Sequence, residues 1–167
     1  MRLIAVFLVA LISAVPAAAE TTYLTAAAFA DPQTGKVMES PIVTMEDGRI
    51  VAVGSQASTT IPADAEIIDL PGKTILPGLI DMHVHLMSSA TKGRGWSGVG
   101  IQQERRTIWS VTNAETTLMA GFTTVRDVGS RGYSMVALRD AINEGEIPGP
   151  RLYVSGPPVG IVGGHCS

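Results

Sequence analysis

Thr74-Ile75-Leu76-Pro77-Gly78-Leu79-Ile80-Asp81-Met82-His83-Val84-His85-Leu86 is an apolar run that ends in a His-x-His pair. Side chains two apart on a strand point to one face. As a strand, this run presents the imidazoles of His83 and His85 side by side, as ligands of a metal ion would stand, and Asp81 shares their face. The nearly unbroken apolar character from Ile75 to Leu86 predicts burial on both faces, as in a parallel sheet.

Downstream, the spacing predicts a helix over about Ile101 to Ala120. Ile108, Val111, Ala114 and Leu118 recur three and four apart, and Gly121 stands at the C′ position. Thr123 to Val128 reads as a second strand, Tyr133 to Asn143 as a second helix closed by Gly145 and Pro148, and Arg151 to Ser155 as a third strand. The alternation β, α, β, α, β implies an α/β fold with parallel strands and right-handed crossovers. A doubly wound sheet and a (β/α)₈ barrel both fit that order. The first strand–helix connection carries no Gly-x-Gly-x-x-Gly, which weakens a dinucleotide fold. Histidines at the C-terminal end of a strand suit the barrel, whose active sites lie on that face. The connection from Met87 to Gly100, with Lys92, Arg94 and Trp96, is long and reads equally as a lid or a surface excursion.

Upstream, Thr21 to Gly72 reads as short strands and turns. Tyr23–Phe29, Ile42–Met45, Ile50–Gly54 and Ala65–Leu70 are strand candidates, and Asp47-Gly48 marks a tight hairpin. The first residues read as an export signal (1–19): Arg2 gives a positive start, Leu3 to Val15 an apolar core, and Ala17-Ala18-Ala19 a small-residue cleavage site before Glu20. The apolar run is shorter than the ~20 residues of a membrane span, and Pro16 interrupts it. The mature protein is therefore expected in the periplasm or outside the cell, with no stable membrane span after cleavage. Cys166 is the only cysteine, so no internal disulfide forms. The 167 residues carry a net charge of −3 and no basic cluster, which argues against nucleic acid as a partner.

Leu76-Pro77-Gly78-Leu79-Ile80-Asp81-x-His83-x-His85, Ala120-Gly121-Phe122-Thr123-Thr124-Val125-Arg126-Asp127, and Ile147-Pro148-Gly149-Pro150-Arg151-Leu152-Tyr153-Val154-Ser155-Gly156 followed by Gly163-Gly164-His165 together resemble the amidohydrolase superfamily. The likeness is greatest to its imidazolonepropionase-like and Xaa-Pro-dipeptidase-like branch. The resemblance implies a metal-dependent hydrolase of amide or cyclic amide bonds on a distorted (β/α)₈ barrel of the TIM type. A small β-sandwich segment over 20–73 would precede the first three βα units over 74–167. His83 and His85 match the first two metal ligands. A divalent metal is implied, zinc above all, as one or two ions. The substrate class implied is a small dipeptide-like or N-acyl amino acid molecule, or a cyclic amide. His165 is a substrate-contact candidate; Asp81, Arg126 and Asp127 are supporting candidates, the last two as an ion pair or as groups that orient the site.

The family's bridging carboxylated lysine, two later histidines and last-strand aspartate match no segment here, and no general base is identified. A ~250-residue barrel would devote about three eighths of its length to three units, which is what Ile75 to Ser167 spans. The chain is thus expected to stop while a third βα unit is under way, the remaining ligands lying beyond it. Two other readings stay open: a non-catalytic exported remnant or binding module with a structural histidine pair, and one half of a split enzyme. Oligomeric state is left open too.

Overall fold

The computed structural model describes residues 20–89 and 100–164. Residues 1–19, expected above to be an export signal, the stretch 90–99 with Lys92, Arg94 and Trp96, and His165 with Cys166 lie outside the described residues. The chain divides into two units, Met1–Leu76 and Pro77–Ser167.

The first unit is built around β1 (Thr21–Asp31). Its first half pairs antiparallel with β3 (Pro41–Glu46) and its last residues with β2 (Lys36–Glu39). β5 (Glu66–Ile75) runs parallel to it, and β4 (Arg49–Ser55) pairs with β3. Among the described residues the five strands form one sheet. Ala26, Ala28, Ile42 and Val43 are buried. Asp47 and Gly48 have φ of 48° and 72°, the left-handed pair of a two-residue hairpin turn, as their sequence predicts. β2 has no sequence signature because all of its residues are exposed, so no alternation marks it.

The expected strand from Ile75 to Leu86 is two strands. Ile75 closes β5, and β6 (Leu79–Val84) starts afresh. Pro77 lacks the N–H that a ladder needs, and Gly78 passes so close to Thr123 that a Cβ would overlap its side chain. β5 itself runs past Leu70 through a bulge at Gly72, where φ is 70°. The expected burial of β6 on both faces is not met: four of its six residues are exposed, and Val84 packs partly against the core while Ile80 remains 62% exposed. Among the described residues β7 is the only strand beside β6.

In the second unit β6 is followed by α1 (Gln103–Met119), β7 (Phe122–Asp127), α2 (Ser134–Asn143) and β8 (Arg151–Val154). The three strands are parallel in the order β6-β7-β8. The core comprises Leu86, Met87, Ala114, Val125, Met135, Leu138 and Leu152. Gly121 (φ 95°) follows α1 as its spacing predicts. After α2 the Glu146 N–H bonds to Ala141 O and the Gly145 N–H to Ile142 O, the paired bonds that satisfy a helix's last carbonyls. One face of α1 departs from expectation. Ile108 is 58% exposed, and Ser110 is buried instead, its hydroxyl donating to Thr107 O at 2.6 Å.

The Gly78 contact yields a measurable consequence. Gly78→Ala is expected to destabilise the second unit by about 1–3 kcal/mol, the usual cost of overpacking. Thr123→Ala in the same chain should recover part of that loss. Denaturant unfolding checks both, and an unchanged midpoint for Gly78→Ala would contradict the close approach.

Candidate metal centre

The C-terminal ends of β6, β7 and β8 border an open cavity of about 780 Å³. His83 and His85 line it from β6, the segment Val128 to Gly132 from β7, and Pro157 and Pro158 from beyond β8. The two imidazoles are exposed, with ring centroids 5.4 Å apart and planes at 78°. The His-x-His spacing thus brings them together as strand geometry requires.

The orientation of His85 is fixed from behind. Its Nδ1 lies 3.0 Å from the carbonyl oxygen of Gly129. A carbonyl only accepts, so Nδ1 carries the proton, and when the ring is neutral its free lone pair is on Nε2. Metal-ligating histidines are held this way, by a hydrogen bond from the other ring nitrogen. The backbone on either side is also tied down. The His83 N–H donates to Asp81 Oδ1 at 2.9 Å. The Leu86 N–H donates to Asp127 Oδ2 at 2.8 Å and the Gly129 N–H to Asp127 Oδ1 at 3.2 Å. From α1, Asn113 Nδ2 donates to the carbonyls of Leu86 and Ser88 at 2.7 and 2.8 Å.

Asp127 therefore clasps the residue after His85 to the residue whose carbonyl holds the His85 ring. It is 1% exposed. Burial pushes its carboxyl above the ordinary aspartate value, while the Leu86 and Gly129 amides and the nearby His85 pull in the opposite direction. Arg126 points the other way, since neighbours on a strand face opposite sides. It borders a second, larger cavity of about 950 Å³ at the open edge of β8, together with Arg151 and Tyr153. That cavity contains neither histidine. Among the described residues Arg126 and Asp127 form no ion pair; the partners of Asp127 are amides.

The donor set fits half of a zinc-type site. His83 and His85 supply two nitrogen ligands, one with its tautomer fixed, where a catalytic zinc takes three protein ligands and leaves one position open. Among the described residues no group of three His, Cys, Asp or Glu converges. Asn113 and the Gly129 carbonyl were not anticipated from sequence. Asn113 could have been noticed as a polar residue beside Ala114 in the apolar stripe of α1; a backbone carbonyl leaves no mark in the residue string.

Residues 74–162 match the model of the Amidohydrolase family. The chain is 42% identical over 64 residues to a dihydroorotase of Pelotomaculum thermopropionicum, covering 38% of this chain and 14% of that protein. It is 39% identical over 66 residues to an imidazolonepropionase of Geobacillus kaustophilus, covering 36% and 16%. A crystal structure of a Xaa-Pro dipeptidase with methionine bound in its active site superposes with a TM-score of 0.79 and 31% identity, over 87% of this chain and 36% of that one. The chain thus spans a minor part of the length of each relative.

Proposed function

The chain belongs to the amidohydrolase family, and on that premise we propose that the protein is an exported, metal-dependent hydrolase of carbon–nitrogen bonds. Its proposed substrates are small peptide-like or N-acyl amino acid molecules, or cyclic amides. The observation that carries this reading is the His83–His85 pair with the His85 tautomer set by Gly129 O. We further propose that β6, β7 and β8 open a (β/α)₈ barrel, and that the first unit is one layer of a β-sandwich. Exposed Ile50 and Val51 on β4 and exposed Ile80 and Met82 on β6 support a larger fold that covers them.

His83 and His85 would hold one or two divalent ions, with further ligands from the rest of the protein. Such an ion polarises a substrate carbonyl and makes water a competent nucleophile near neutral pH. This chain's own contribution is positional. Asp81, Asp127 and Asn113 fix the backbone that carries the two rings, and the segment from Gly129 to Gly132 shapes one wall of the cavity. Exposed rings without a packing role favour ligation over a purely structural histidine pair.

The test is metal analysis of the complete protein joined to hydrolysis of dipeptides, N-acyl amino acids and cyclic amides. The expected result is a bound divalent ion near stoichiometry, with hydrolysis lost on chelation and restored by zinc. A protein that takes up no metal and hydrolyses none of the three substrate classes would overturn the proposal.

A further inference from the structure

We infer that the cavity beside the histidine pair selects ligands that carry a carboxylate, and that the Arg131 guanidinium is the group that reads it. The inference rests on the proposed function in one respect: it takes the cavity's ligand for a substrate.

The first observation is charge. Among the described residues, the formally charged side chains that line this cavity are Arg106 from α1 and Arg131 from the β7–α2 segment, and no aspartate or glutamate lines it. The one buried carboxylate nearby, Asp127, is occupied by two backbone amides. Metal ions held by the histidines would add to this positive field. A neutral amide has no use for such a field, whereas an anionic group is drawn to it.

The second observation is that Arg131 is available for a ligand. It is exposed, and among the described residues no carboxylate forms an ion pair with it. Arg139 on α2, by contrast, is bound to Asp140 at 2.7 Å. A guanidinium offers a planar fork of donors that matches a carboxylate with two parallel hydrogen bonds.

The third observation is that the backbone beneath Arg131 is held on both sides. Ser130 is buried. Its N–H donates to Gly156 O at 3.2 Å, and its hydroxyl donates to Gly132 O at 3.3 Å. Gly132 has φ of 60°, and a Cβ there would stand 2.7 Å from Gln103 Nε2. The same Gln103 amide donates to Ser134 Oγ at 3.1 Å. Arg131 therefore projects from a fixed turn, two residues after the carbonyl that orients His85. A fixed offset between the cation and the ring suits recognition of a molecule that bears its carboxylate at a set distance from the bond presented to the histidines.

The probes are N-acetyl-L-alanine and N-acetyl-L-alaninamide, which share a shape and differ in the carboxylate. Their binding to the complete, metal-loaded protein is measured by calorimetry or ligand-detected NMR. The acid is expected to bind at least about tenfold tighter than the amide, the span of a charge-assisted hydrogen bond. Arg131→Gln should remove that preference, Arg131→Lys should retain part of it, and neither should change the metal content. Equal binding of the two probes, no binding of either, or an unaltered preference in Arg131→Gln overturns the inference. A retained preference in a protein without metal uptake or hydrolysis would strike the hydrolase reading and leave the carboxylate site standing.

Discussion

On the function proposed above, alanine in place of His85 is expected to abolish metal uptake and hydrolysis together, with little change in folding stability. Losing only an outer-shell partner of a metal ligand costs about 10–100-fold in affinity or activity, so loss of the ligand itself should exceed about 100-fold. The ring is exposed, and its one described hydrogen bond is to a carbonyl at the cavity wall. Its removal leaves no buried void. His83→Ala should behave alike, since that ring is also exposed and only its backbone is tied, to Asp81. Metal content by mass spectrometry, hydrolysis and thermal unfolding are read on one preparation. A fall in the unfolding temperature of the metal-free protein as large as the loss of activity would mean that the histidines hold the fold rather than an ion.

Asp127→Ala is expected to do the opposite in kind: a large loss of stability, with loss of the site as its consequence. The substitution leaves the Leu86 and Gly129 amides without their acceptor. Each stranded donor costs about 1–3 kcal/mol, so the total should be about 2–6 kcal/mol in denaturant unfolding. Asp127→Asn should lie between, because one amide oxygen can accept from one of the two N–H groups and its NH₂ from neither. The pH dependence has a definite sign. Burial raises the carboxyl pKa in the folded protein. The Asp127 contribution is therefore greatest below the unfolded value of about 3.9 and falls as pH rises through the folded value. The penalty for Asp127→Asn should accordingly shrink between about pH 4 and neutrality. A penalty that grows over that range would mean that the two amides and His85, not burial, govern the carboxylate.

What could be read from sequence was local and repetitive. Two-residue alternation set His83 and His85 on one side of the cavity, and glycines with left-handed backbone, Gly121 and Gly145, closed both helices where their spacing predicts. The features that escaped depend on partners distant in the chain. Ile75 is apolar enough for either neighbouring strand, and only pairing with Phe29 of β1 assigns it to β5. Ile108 fits the helical stripe as well as Val111 does, yet it lies on the solvent side. Ser110 is buried because its hydroxyl finds a carbonyl one turn back, a bond that hydrophobic periodicity does not register. An ion pair between Arg126 and Asp127 was one reading of their adjacency; strand alternation sends them to opposite faces.

The parallel pairing of β1 with β5 bears on the order of assembly. Thr22 sits opposite Glu66, whereas Glu46 pairs with Arg49 across a two-residue turn. Closing a short loop is entropically cheap, and long closure must precede any reward from distant contacts. The β3–β4 hairpin can thus form while β5 is still being synthesised, but one edge of β1 stays bare until residues 66–75 arrive. For that interval the nascent chain carries an unpaired, partly apolar strand edge, the template on which another chain can dock. The exposure of this edge is thus set by the wait for β5 and not by the stability of the finished sheet.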